Sequence, residues 1–167
     1  MGSWWLLREI ELSTLRARLV TQARGDGGQR QAFITLPASK SDQAAHGIAR
    51  GHRCHCIDGG PRQSCPVHVL RDQALFLRRQ FPHRFLEGVP DWNLPLFPSL
   101  GGETCEKPAM VRTILEGAHQ LGIPPADPEG TTRISGHSLR VGGAQGLTRL
   151  GFPLWAVQLL GRWGAVQ

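Results

Sequence analysis

The chain has 167 residues, 40% of them hydrophobic, a formal net charge of +6 and a pI near 10.1. That length suits one domain with a modest core, and the basic balance favours a polyanionic partner such as nucleic acid. No stretch has the uninterrupted apolar length of a membrane span, and the first residues lack a basic segment followed by an apolar one, which leaves a soluble, intracellular protein as the expectation.

The first predicted element is a short helix from Trp4 to about Leu12, which would set Arg8 and Glu11 on one face, three positions apart. Leu15 to Val20 then alternates as a strand does, Asp26-Gly27-Gly28 is a turn signal, and Ala32 to Leu36 is a second β-prone run ended by Pro37. Together these predict a hairpin; a helix continuing to Val20 is the competing reading, because Trp5, Leu12, Leu15 and Leu19 also fall near helical spacing. Lys40 follows, in Ser39-Lys40-Ser41-Asp42, and is one of only two lysines, the other being Lys107.

Residues 46 to 68 form an irregular stretch rich in His and Cys. Cys54, Cys56, Cys65 and His68 could complete a tetrahedral shell of three sulfurs and one nitrogen around a structural zinc, stitching together a loop with little apolar material of its own. His52 and His55 are spare candidate ligands, Cys105 lies apart, and reduced cysteines in an ordinary loop are the plain alternative. A helix from Pro66 to Gln80 is well marked: proline at its first position, a seam of Val67, Leu70, Ala74, Leu77 and Phe81, and Arg78 and Arg79 near its end.

The proline-rich run from Phe81 to Lys107 reads as loop, with Leu96-Phe97 a short buried strand. Pro108 to Leu121 is the next helix, turning Val111, Ile114, Leu115, Ala118 and Leu121 inward and ending at Gly122. A final helix pair, Ser138 to Leu150 and Pro153 to Leu160, is separated by Gly151.

Two segments near the end carry the functional signal: Ile134-Ser135-Gly136-His137-Ser138-Leu139-Arg140, and Leu160-Gly161-Arg162-Trp163. Taken singly such motifs are cheap, since His68/Arg71 repeats the H-x-x-R spacing and Arg84/Glu87 repeats the R-x-x-E spacing of Arg8/Glu11. Order and context set the first copies apart. Arg8, Glu11, Lys40, His137, Arg140 and Trp163, in that order, resemble the catalytic set of the tyrosine recombinase (phage integrase) family.

The resemblance implies a mostly helical catalytic core with a small antiparallel sheet, an α+β fold that breaks and rejoins double-stranded DNA without a catalytic cofactor. It implies that Arg8 and Arg140 clamp the non-bridging phosphate oxygens and that His137 donates to the phosphate or accepts a proton. By the same resemblance Lys40 is the general acid, Glu11 holds the cationic side chains and Trp163 gives support. In that family the nucleophilic tyrosine stands about nine residues past the position matched by Trp163. These 167 residues contain no tyrosine and stop at Gln167, so an inactive, DNA-binding partial catalytic domain is expected, without the family's N-terminal clamping domain. A homo-oligomer on DNA, and a nuclear location in a eukaryote, would follow. The alternatives are a non-catalytic, zinc-stabilised DNA-binding or protein-interaction module, and a zinc hydrolase built on the Cys/His cluster, which lacks a nearby glutamate as base.

Overall fold

The computed structural model describes residues 1–36, 47–58 and 62–163. Its fold is α+β, with five α-helices and a small antiparallel sheet among the described residues. The chain divides into two compact units, one built around Leu15–Glu103 and the other from Gly2–Thr14 with Thr104–Gly164. No helix among the described residues is long and apolar enough to cross a membrane.

In the first unit, strands β1 (Val20–Arg24) and β2 (Arg30–Leu36) form an antiparallel hairpin, in register from Val20 opposite Ile34 to Arg24 opposite Arg30. Gly27 and Gly28 turn the chain at φ +80° and +77°, a conformation in which a Cβ would be strained. The expected hairpin is therefore present, but its first strand lies later than the sequence suggested. The Leu15 segment instead joins the chain near Leu96: Leu96 N–H donates to Leu15 C=O at 2.8 Å, and Ala17 N–H donates to Leu94 C=O at 2.9 Å. Leu94 and Leu96 are fully buried here, but the strand expected over Leu96-Phe97 does not form: the segment makes an isolated bridge, Arg16 with Pro95, Phe97 is half-buried, and Pro95 and Pro98 lack the N–H groups a ladder needs.

A third strand, β3 (Ile48–Arg53), pairs with β2 from Gln31 opposite Arg53 to Leu36 opposite Ile48. The sequence pattern, without apolar alternation, predicts irregular structure over this stretch; pairing with β2 imposes the extended form instead. Along β2, Ala32, Ile34 and Leu36 are buried in alternation, and helix α2 (Pro66–Gln80) packs on that sheet through Val67, Leu70 and Leu77. Ala74, expected in the same seam, is exposed. A two-stranded ribbon, β4 (Phe85–Leu86) and β5 (Val89–Pro90), lies within the stretch read as loop. Arg84 closes its base by pairing with Asp91, and the hydrogen-bonded guanidinium outweighs burial and holds the Asp91 pKa down to about 2.

The second unit draws on both ends of the sequence. Helix α1 (Glu9–Thr14) packs with α3 (Lys107–Gln120), while α4 (Ser138–Arg149) and α5 (Leu154–Gly161) pair across a turn at Gly151, φ +83°. The predicted helix over Trp4 to Leu12 is corrected here. Residues 2–6 form turns, Leu6 takes φ +50°, and the helix begins only at Glu9. A helix resting on one face could not hide Trp5, Leu6 and Leu7 in succession, and all three are buried. Leu6 forms a cluster with Leu147 and Val157, packed round by Trp4, Ala144, Phe152 and Leu160. Gly143 lets α4 approach the first segment, since a Cβ there would stand 2.1 Å from the Ser3 carbonyl oxygen. Leu121, expected to point inward at the end of α3, is largely exposed.

Candidate anion site and metal centre

The second unit gathers three guanidinium groups on one carboxylate. Arg8 stands immediately before α1, and Glu11 lies in that helix's first turn. Glu11 reaches back to accept the Arg8 backbone N–H at 2.7 Å on Oε2, in the way an acidic side chain satisfies an unpaired amide at a helix start. The Arg8 side chain donates to the other oxygen through Nη2 at 3.0 Å and Nε at 3.3 Å. Arg162 Nη2 approaches that same Oε1 at 2.8 Å, and Arg140 Nη2 lies 3.7 Å from Oε2. One negative charge thus faces three positive ones.

Backbone geometry fixes two of these arginines. Arg140 Nε donates to the Leu6 carbonyl at 2.7 Å, and Leu6 is one of three non-glycine residues at positive φ among those described. Arg162 is another, at φ +54°, ψ +37°, where it caps α5 with its N–H directed to the Gln158 and Leu159 carbonyls. A left-handed conformation costs a residue with a Cβ roughly 1 kcal/mol, and such strain concentrates at functional sites.

The electrostatics follow the crowding. Burial works against ionisation of Glu11, but the Arg8 amide and the charges of Arg162, Arg8 and Arg140 outweigh it, so its carboxyl sits below the usual range. Arg140 is lowered by burial first and then by Arg162 and Arg8, with Glu11 opposing. A guanidinium remains protonated regardless, so the cluster carries an excess of positive charge.

His137 directly precedes α4 and is exposed, one turn from Arg140. Beside it Gly136 makes room for a buried carboxylate, because a Cβ there would lie 2.4 Å from the Glu9 Cδ. Glu9 is only 3% exposed. Its Oε1 pairs with Lys107 Nζ at 3.0 Å, and its Oε2 has no hydrogen-bond partner among the described residues. Burial opposes the ionised form of Glu9, whereas Lys107 and His137 favour it and hold its pKa low. Trp163 is partly exposed, its ring lying over Gly161 where a Cβ would meet it at 2.8 Å. Lys40 lies outside the described residues.

The structure therefore joins Arg8, Glu11 and Arg140, keeps His137 at the start of the same helix as Arg140, and adds Arg162, which the sequence reading passed over. The one local signal for Arg162 was its place between Gly161 and Trp163. The duplicate motifs find other partners: Arg84 pairs with Asp91 rather than Glu87, and Arg71 pairs with Asp72.

In the first unit, the ligand atoms of Cys54, Cys56, Cys65 and His68 all lie within 4.8 Å of one another. Cys54 Sγ and Cys65 Sγ are 3.7 Å apart, and Cys56 Sγ is 3.3 Å from His68 Nδ1. Donors placed about 2.3 Å from a tetrahedral ion stand roughly 3.7 Å from each other, so the four residues are close enough to share one metal. All four cysteines are free thiols. Cys54 directly follows β3, Cys56 lies in the short 3-10 turn His55–Asp58, Cys65 is the N-cap of α2, and His68 sits in that helix's first turn, so the ligand spacing is set by a strand end, a turn and a helix start. Burial resists ionisation of Cys65, but donors from His68, Cys56 and His55 draw it down to about 6. Cys56 is pushed up to about 11 by burial and by the adjoining Cys65 and Cys54. His52, a spare ligand candidate, is buried in β3 and does not belong to the four.

No protein-family model and no curated protein matches this sequence.

Glu11→Gln keeps the shape of the hub and removes its charge, leaving three guanidiniums unbalanced. A loss on the order of 3 kcal/mol is expected at pH 7 by urea denaturation. Because the folded carboxyl has the lower pKa, this contribution is present above the unfolded value near 4.5 and fades as pH falls through the folded one. The gap between wild type and variant should therefore narrow below about pH 4.5; a gap that stays constant to pH 3 would contradict the ion-pair origin.

Proposed function

We propose that this chain binds the phosphodiester backbone of double-stranded DNA, with Arg8 and Arg140 gripping one phosphate as in the catalytic domain of a tyrosine recombinase. The observation that supports this is the convergence of separate guanidinium groups on Glu11, from segments at opposite ends of the sequence. A guanidinium offers parallel N–H donors that match phosphate oxygens, and fixed donors of this kind stabilise the charge that grows on a phosphate under attack. On this reading His137, exposed directly before α4, would donate a further hydrogen bond to the same phosphate.

Strand cleavage in that family transfers the phosphate to a tyrosine oxygen while the departing 5′ oxygen takes up a proton. No residue of these 167 can supply the tyrosine oxygen. The chain on this reading holds DNA and does not turn it over.

The metal centre adds a structural zinc to the proposal. Three sulfurs and one nitrogen fill a tetrahedral shell and leave no position for a reacting water, which favours a stabilising ion over a hydrolytic one. A zinc-stabilised binding module without catalytic ancestry is the second reading, and the Cys/His cluster is the observation in its favour.

Arg140→Ala, checked for folding by circular dichroism, is expected to bind a short duplex about tenfold more weakly at moderate salt, by fluorescence anisotropy. Equal affinity would overturn the assignment. Denatured samples of the same mixtures should show no covalent protein–DNA adduct.

Metal analysis of the purified chain is expected to find one zinc per molecule, and Cys65→Ser to lose it together with thermal stability. Full stability in strong chelator would rule out a structural ion.

A further inference from the structure

The buried member of the arginine cluster has donors to spare. The Arg162 side chain is 7% exposed, and its Nη2 comes within 2.8 Å of Glu11 Oε1. The approach is off the hydrogen-bonding direction, because the same atom has no hydrogen-bond partner among the described residues. A buried cationic donor left in that condition is costly unless an acceptor reaches it. Arg8 Nη2 donates to the same carboxylate oxygen at 3.0 Å, so the Arg8 and Arg162 guanidiniums crowd one acceptor.

Position 162 is also an unusual place for an arginine. Its φ of +54° is the conformation in which glycine ends a helix without strain. The left-handed cap turns the side chain back to Glu11, and a right-handed continuation of α5 would carry it onward instead.

We propose that Arg162 is a third phosphate-binding donor, which with Arg8 and Arg140 makes a three-guanidinium phosphate receptor tethered by Glu11. This rests on the DNA reading above and deepens it. The tether accounts for one of the three positive charges. A bound phosphate accepts the unused N–H groups and relieves the repulsion among the guanidiniums, so the shared ligand chemistry is a phosphate oxygen set, in a duplex backbone or as the free ion.

The test uses the whole 167-residue chain as wild type, Arg162→Gly and Arg162→Lys. Glycine accepts the left-handed cap and removes the donors, and lysine keeps the charge but loses the fork. Melting is measured in sodium phosphate against sodium chloride at equal ionic strength, and duplex affinity by anisotropy. Phosphate should raise the wild-type melting temperature by about 3 °C, and Arg162→Gly should abolish that rise and weaken duplex binding about tenfold. Arg162→Lys should fall between the two. If Arg162→Gly does not fold, Arg162→Lys is decisive, and a wild-type phosphate response in it would overturn the proposal. Retention of either the phosphate rise or wild-type duplex affinity in folded Arg162→Gly would overturn it as well. If Arg140→Ala weakens duplex binding and Arg162→Gly does not, only this inference falls; if neither does, the DNA reading falls with it.

Discussion

The carboxylate of Glu11 organises everything of functional interest in the second unit. Its two oxygens take one amide and three guanidinium groups, tying the turn before α1, the first turn of α4 and the end of α5 to a single point. Removing one partner of such a group leaves buried charge without compensation, which is why the arrangement is worth more than an exposed i, i+3 pair. The constraint also explains local oddities. Leu6 and Arg162 adopt left-handed backbones, the first offering its carbonyl to Arg140 and the second swinging its side chain inward.

Such a cluster carries more positive than negative charge, which is why we propose an anion as its ligand. Glu11 alone does not balance its neighbours, and each guanidinium presents a planar fork suited to phosphate. Glu9 plays a different part nearby, buried under Gly136 and paired with Lys107, so that the segment leading into His137 and α4 packs against a carboxylate. In the first unit the logic is reversed. Four donors from a strand end, a short turn and a helix start lie close enough together to share a cation.

How legible this was in the sequence varied with how local the cause is. Helix α2 was plain at both ends, because Pro66 suits a first helical position and the Val67, Leu70, Leu77 seam has helical spacing. The Asp26-Gly27-Gly28 turn was equally plain, since it depends on glycines at positive φ. Strand β3 was not, because Arg50, Gly51, His52 and Arg53 carry no apolar alternation; pairing with β2 imposes the extended form. The first residues looked helical, yet burying Trp5, Leu6 and Leu7 together required a kink that pattern alone does not reveal. Within the site, Arg8, Glu11 and Arg140 were found through the order of motifs that resembles the tyrosine recombinase set, and the four metal-binding candidates through the closeness of Cys and His along the chain. Arg162 was missed because its importance lies in a left-handed cap and a partner near the opposite end of the chain.

The most direct measurement follows the arginine side chains themselves. Nitrogen-15 NMR of the Nε–H groups during titration with a short duplex should show Arg8, Arg140 and Arg162 shifting together along one binding curve. Unchanged signals from these three, while arginines elsewhere on the chain respond, would contradict a phosphate receptor centred on Glu11.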